Sequence, residues 1–228
     1  MNPATHRQKL LAESGIAAVL TAAAIGWAAQ PAAAASTVRA LWHMDETSGT
    51  VMHDSSGQGH NGTLTNVQVG LAGWSGAGYG FNGTSSIVKV PSASSLNPGS
   101  SPFTWTTHVK FTQLPRDDYD LVRKGLSTTS GGHWKSEVLN TGKAYCEVRG
   151  SSGTAHLTNG PTLNNGAWHA ITCTRSGSTL TLTVDGKSYS TTHASGTVSN
   201  SAPLTIGAKT SNGDYYKGVM DEVQLSIG

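Results

Sequence analysis

Charge is the scarcest ingredient of this 228-residue chain. Charged residues make up 12% of it, and 15 basic against 13 acidic side chains leave a formal net charge of +2. With no basic cluster, a nucleic acid finds little to hold, so none is expected as a partner. Beyond the first 35 residues no apolar run is long enough to span a bilayer. His43, His53, His60, His108, His133, His156, His169 and His193 are scattered without H-x-x-x-H spacing, and C-x-x-C is absent, which removes the common zinc patterns. G-x-S-x-G and a phosphate loop are missing too. Cysteine occurs only twice, at Cys146 and Cys173. Helical periodicity is equally rare, because apolar residues recur at period two.

What the chain does have begins with an N-terminal segment, residues 1–35, of a recognisable kind. His6, Arg7 and Lys9 precede a small and apolar run from Gly15 to Trp27, and Pro31 and Ala33-Ala34-Ala35 close it. A basic start, an apolar centre and an A-x-A site predict a cleaved signal peptide and export. The alternative is a membrane anchor, for which the run is short. Removing Arg7, Lys9 and Glu13 with it leaves 13 basic and 12 acidic residues over 36–228. That span suits one all-β domain, secreted, with no membrane contact after cleavage. No pattern specifies an oligomeric state.

The most informative stretch is Thr179-Leu-Thr-Leu-Thr-Val184. Alternation puts Leu180, Leu182 and Val184 on one face and three threonines on the other, so the strand is half-buried in an antiparallel sheet. Asp185-Gly186 then supplies the positive φ angles of a two-residue hairpin. The same period predicts strands at 38–44, 86–90, 103–111, 120–124, 134–140, 144–149, 154–158, 168–174, 187–192, 203–207 and 219–227. Gly, Ser, Asn and Pro clusters separate them, the rhythm of a sandwich or barrel.

Cys146 alternates in phase with Val148, and Cys173 with Ile171. Both therefore face a core. In an exported chain an even count favours a bridge over two buried free thiols, and it would contribute on the order of 3 kcal/mol.

An ordered set of segments carries a family likeness: Ala40-Leu-Trp-His-Met-Asp-Glu46, Asp54-Ser-Ser-Gly-Gln-Gly-His-Asn-Gly-Thr-Leu64, Phe81-Asn-Gly83, Phe103-Thr-Trp-Thr-Thr-His-Val-Lys110, Gly166-Ala-Trp-His169 through Val184-Asp-Gly-Lys187, Leu204-Thr-Ile-Gly207 and Gly218-Val-Met-Asp-Glu-Val223. Together they resemble the laminin-G-like (LamG) domains of the concanavalin A-like lectin/glucanase superfamily, in their secreted actinobacterial form. The resemblance implies a jelly-roll sandwich of two antiparallel sheets with the first and last strands side by side. It also implies a structural calcium pinning the N-terminal loop to the last strand. Carried over, the ligands are Asp54 and Asp221, with Glu46 and the region of His60 contributing. Such oxygen donors suit calcium. The Cys146–Cys173 pair resembles one found in actinobacterial members.

For binding a carbohydrate, rings and amide or carboxylate groups near turns are the signal. Trp74, Tyr79, Tyr119, Trp134, Tyr215 and Tyr216 all lie in or near Gly-rich, polar segments. Tyr215 and Tyr216, beside Asp214 and Asn212, form the most site-like cluster. Asp117-Asp118-Tyr119-Asp120 comes second, and Trp134 is a further candidate. The paired-acid signature of glucanases on this fold, E-x-D-x-x-E, is absent. No catalytic residue is therefore assigned. The reading is a secreted, non-catalytic, lectin-like module. A hydrolase or lyase of the same fold and a protein-adhesion module stand as alternatives.

Overall fold

The computed structural model describes residues 36–209 and 213–228. The expected signal peptide and Asn212 lie outside the described residues. In chain order the strands are β1 (Thr37–Trp42), β2 (Val51–Met52), β3 (Gly62–Thr65), β4 (Gln68–Ala72), β5 (Ala77–Asn82), β6 (Ile87–Val90), β7 (Phe103–Lys110), β8 (Asp118–Lys124), β9 (His133–Leu139), β10 (Ala144–Gly150), β11 (Gly153–Asn159), β12 (Trp168–Ser176), β13 (Thr179–Val184), β14 (Lys187–Thr192), β15 (Leu204–Ile206) and β16 (Lys217–Ile227). A single 3-10 turn, Ser94–Leu96, is the one helical element among the described residues.

The strands form two antiparallel sheets. The first runs β14-β13-β12-β7-β16-β5-β4, and the second β11-β10-β9-β8-β15-β6-β3-β2. In the first sheet β16 is long enough to serve two partners on one side. Lys217–Met220 pairs with β5, and Val223–Ile227 pairs with β1. First and last strands are thus neighbours, as expected.

Alternation explains what lies between the layers. Leu180, Leu182 and Val184 are fully buried, and their threonine neighbours are not. Phe103 and Trp105 stack from the first sheet with centroids 5.1 Å apart, and Trp134 from the second sheet lies 5.1 Å from Trp105. Cys146 on β10 and Cys173 on β12 are bridged, with Cα atoms 5.9 Å apart, so the disulfide ties one layer to the other through the core.

The backbone is specialised at two places. Asp185 and Gly186 take φ of 49° and 81°, the two positive angles that their hairpin requires. In β16 the register against β7 breaks between Asp221 and Gln224, and Glu222 sits in the break at φ 50°. Such a bulge re-aims a side chain.

Candidate functional site

The outward face of the first sheet carries hydroxyls in rows. Gln224, Thr106, Thr172, Thr183 and Ser188 are cross-strand neighbours on β16, β7, β12, β13 and β14. Ser226, Thr104, Thr174, Thr181 and Ser190 form a second row beside them. Thr106 and Thr172 share a hydrogen bond of 2.9 Å, as do Thr104 and Thr174, while Thr183–Ser188 and Thr181–Ser190 close at 2.8 and 2.9 Å. β-branched threonine suits a wet pleated surface. Repeated on facing strands, it makes a polar platform.

The platform ends in a groove of about 370 Å³ lined by Leu41, Trp74, Ser75, Thr106, His108, Glu222 and Gln224. Trp74 is the outstanding residue. It is 54% exposed, and its indole stacks on the His108 ring at 4.9 Å and 18°. Burial holds His108 below the ordinary imidazole pKa, against the opposing charge of Asp221, and its Nδ1 has no hydrogen-bond partner. The bulge brings Glu222 to the groove, where both of its oxygens lie 2.9 Å from His43 Nδ1. An exposed indole beside a carboxylate, an amide and hydroxyls can hold a polyhydroxylated ligand. The ring packs on C–H faces, and the polar groups meet the hydroxyls.

Trp74 is held rigidly by its loop. Asp221 Oδ2 accepts the backbone N–H groups of Trp74 (2.7 Å) and Ser75 (2.9 Å), and Oδ1 accepts that of Glu222 (2.8 Å). Gly73 donates to the Gly76 carbonyl at 3.1 Å, and a Cβ at Gly73 would meet Ala77 O at 2.0 Å. Asp221 is fully buried, and that burial raises its pKa despite the three donors.

Asp54 and Asp221, expected to share a cation, each serve a different loop. Asp54 Oδ1 accepts from the Leu41 and Ser56 N–H groups, and Oδ2 from Ser56 Oγ and the His60 N–H, at 2.8–3.0 Å. Burial opposes ionisation of Asp54, but these bonds prevail and hold its pKa below the usual value. Glu46 accepts the Tyr79 hydroxyl and the His53 N–H, and the His60 ring meets Ser95 Oγ at 2.9 Å. Among the described residues one group of three or more ligand-type side chains has its ligand atoms within 4.8 Å, and none of these four belongs to it.

Two expected ligand-binding residues are corrected, and a third, Tyr119, is nearly buried but still lines a groove. Trp134 and Tyr216 are fully buried and Tyr119 is 6% exposed. Trp134 belongs to the inter-sheet aromatic stack. Tyr119 and Tyr216 pack edge-on at 5.4 Å, with Phe111 about the same distance from each. The core between and beside the sheets takes up these rings despite the glycine-rich surroundings that made them look exposed, and each buried ring contributes about 1.5–3 kcal/mol. Trp74 had the same surroundings and is left outside. Its signal, a lone tryptophan between Gly73 and Ser75-Gly76 in a tight turn, was present but not distinguishing.

Asp214 and Tyr215 do reach a surface. With Asn82, Gln113, Asp117 and Asp118 they line a second groove of about 370 Å³. The two clusters, separate in sequence, are joined in the fold, since the Asp120 N–H donates to the Asp214 carbonyl at 3.0 Å.

Residues 82–226 match the family model described as the concanavalin A-like lectin/glucanases superfamily, of laminin G type. The binding domain of Paraclostridial Mosquitocidal Protein 1 is 17% identical, with a TM-score of 0.69 over 83% of this chain and 48% of that one. Domain 4 of AbnA, a GH43 extracellular arabinanase from Geobacillus stearothermophilus, was solved with arabinotriose. It is 18% identical, with a TM-score of 0.59 over 85% of this chain and 93% of its own. Domains LG4-5 of the mouse laminin alpha1 chain are 18% identical, with a TM-score of 0.51 over 65% and 40%. The chain spans about half the length of the toxin domain, and at these identities the likeness is one of fold. No curated protein matches the sequence. The match over 82–226, carried on a two-sheet sandwich whose first and last strands pair, makes the chain a laminin-G-like member of the concanavalin A-like lectin/glucanases superfamily.

Proposed function

We propose that this chain is an exported, non-catalytic module that binds a glycan across the Trp74 groove and the adjoining hydroxyl rows. Residues 1–35 are its cleaved signal. The observation that carries the reading is Trp74. A 54% exposed indole, fixed at its own backbone by a buried aspartate, offers a preset ring face that loses little conformational freedom on binding. The groove supplies what a sugar needs beside the ring: the Glu222 carboxylate, the Gln224 amide and the Thr106 hydroxyl. The arabinotriose on AbnA domain 4 is a glycan held by a protein of the same fold and supports the ligand class.

The same groove argues for binding over hydrolysis. Glycosidases need two carboxyl groups facing each other across the scissile bond. Glu222 is the single carboxylate lining this groove, because neighbouring Asp221 is turned inward and committed to backbone donors. The test is a glycan array followed by calorimetry on the best hit, with reducing-sugar release measured in parallel. Trp74→Ala should keep the melting temperature and weaken binding by about tenfold or more. Undiminished binding by that variant rejects the groove, and sugar release abolished by Glu222→Gln rejects the non-catalytic reading.

A further inference from the structure

Away from the Trp74 groove, the structure gathers acids at one corner of the second sheet. Asp118 and Asp120 are two residues apart on β8, and Asp214 arrives from the segment before β16. One carboxylate oxygen from each lies within 4.8 Å of the other two. Asp214 holds a left-handed backbone, φ 54°, and its carbonyl is fixed by the Asp120 N–H.

Acidic clusters are common, and closeness alone says little. The second observation is at Asp120. Its residue is 1% exposed, its Oδ2 accepts Arg123 Nη1 at 2.7 Å, and its Oδ1 has no hydrogen-bond partner at all. Asp118 Oδ1 is likewise buried and unpartnered. Buried carboxylate oxygens left without donors are rare, because desolvating one without a compensating contact costs several kcal/mol. The other deeply buried acids among the described residues are committed to donors. Asp221 takes three backbone N–H groups, and Glu137 takes Lys135 Nζ at 2.6 Å.

The local charge points the same way. Glu137 faces Asp120 across the β8–β9 pairing, so four carboxylates meet three cations: Arg123 on Asp120, Lys135 on Glu137 and Lys209 on Asp214 at 3.0 Å.

We infer that Asp118, Asp120 and Asp214 form a divalent-cation site, with calcium the best-suited ion. Oxygens on opposite sides of a calcium ion stand about 4.6–5.2 Å apart and adjacent ones closer. A trio mutually within 4.8 Å is close enough to converge on one ion with small side-chain adjustment. Three oxygens are too few for calcium, and water fills the remaining positions through the groove lined by Asn82, Gln113, Asp117 and Tyr215. The ion would lock the segment ahead of β16 onto β8. This site owes nothing to Asp54 or to the glycan groove.

The test uses the exported chain after chelation and dialysis. Calcium is titrated by calorimetry and by melting temperature, and terbium luminescence gives an independent signal. Saturable binding with a dissociation constant of about 1 mM or tighter is expected, with a rise in melting temperature. Asp118→Asn/Asp214→Asn should weaken it by about tenfold or more and abolish the thermal shift, while Asp54→Asn should not. Asp120→Asn is the sharper variant but the deeper one. If it fails to fold, the double variant decides. No saturable binding overturns the inference. Binding kept by the double variant, or lost only in Asp54→Asn, overturns it as well.

Discussion

A buried aspartate that touches no ligand can still govern one. Asp221 uses three lone-pair directions on the N–H groups of Trp74, Ser75 and Glu222. An asparagine there keeps the shape but presents an amide N–H₂ to at least one of those donors. Asp221→Asn should cost about 1–3 kcal/mol, speed hydrogen exchange at the Trp74 and Ser75 amides, and weaken glycan binding in step. Unchanged exchange at those two amides would show that another contact sets the loop. Glu147 poses a different residue-scale question. It is partly buried, which opposes ionisation, yet the hydrogen bonds from His133 Nε2 at 2.5 Å and from the Tyr145 hydroxyl, with the charge of Lys135, lower its pKa to about 2. A carboxyl group with a depressed folded-state pKa stabilises the protein above its ordinary value near 4.5, and that stability fades as pH falls toward 2. Glu147→Gln should therefore melt below the parent protein at about pH 6, with the gap closing between about pH 4.5 and 2. A gap that stays constant over that window would mean that the pairing contributes through shape and not charge.

At the scale of elements, the strands with clean alternation were legible and the glycine-rich ones were not. β13 and its Asp185-Gly186 turn follow directly from one period-two run, and every span drawn from that period overlaps an observed strand. β2, β3, β4 and β5 escaped. β5 reads Ala-Gly-Tyr-Gly-Phe-Asn, and two glycines suppress the signal of Tyr79 and Phe81. The glycines are there for packing. A Cβ at Gly80 would lie 2.6 Å from Leu71 Cδ1, and one at Gly78 would lie 3.1 Å from Gly73 Cα. Close strand approach is a tertiary fact that no local window contains. The site suffered in the same way. Two acidic clusters far apart in the chain were each visible, but only the β8 backbone bond to Asp214 joins them. The layer-to-layer disulfide, by contrast, was readable because both cysteines shared phase with apolar neighbours. It closes a sequence separation of 27, for which chain-entropy arguments give roughly 3–4 kcal/mol. Cys146→Ala/Cys173→Ala should lower the melting temperature by roughly 10 °C in calorimetry. A loss of only a degree or two would mean that the aromatic stack alone holds the layers in place.

At the scale of the molecule, the span that the family model matches is smaller than the part that folds. The family match begins at residue 82, the last residue of β5. The strands ahead of it contribute to both sheets: β1, β4 and β5 to the first, β2 and β3 to the second. Without them β16 is unpaired along one whole side and β6 becomes an edge. Ala40, Trp42, Met44, Met52, Tyr79 and Phe81, all buried, would be removed. Trp42 is also tied by its Nε1, which donates to the His60 carbonyl at 2.8 Å, so the Asp54 loop goes with it. At about 1.5–3 kcal/mol for each large side chain, the burial lost is on the order of 10 kcal/mol. That is as large as the whole stability of an ordinary domain, about 5–15 kcal/mol. A fragment of residues 82–228 should therefore fail to melt cooperatively and should aggregate through its bared β16 edge, whereas residues 36–228 should give one sharp transition. Circular dichroism melts and gel filtration of the two chains decide the matter. A monomeric 82–228 fragment with a sharp melt would mean that β1 to β5 decorate a core already complete, contrary to the buried positions of Trp42 and Tyr79.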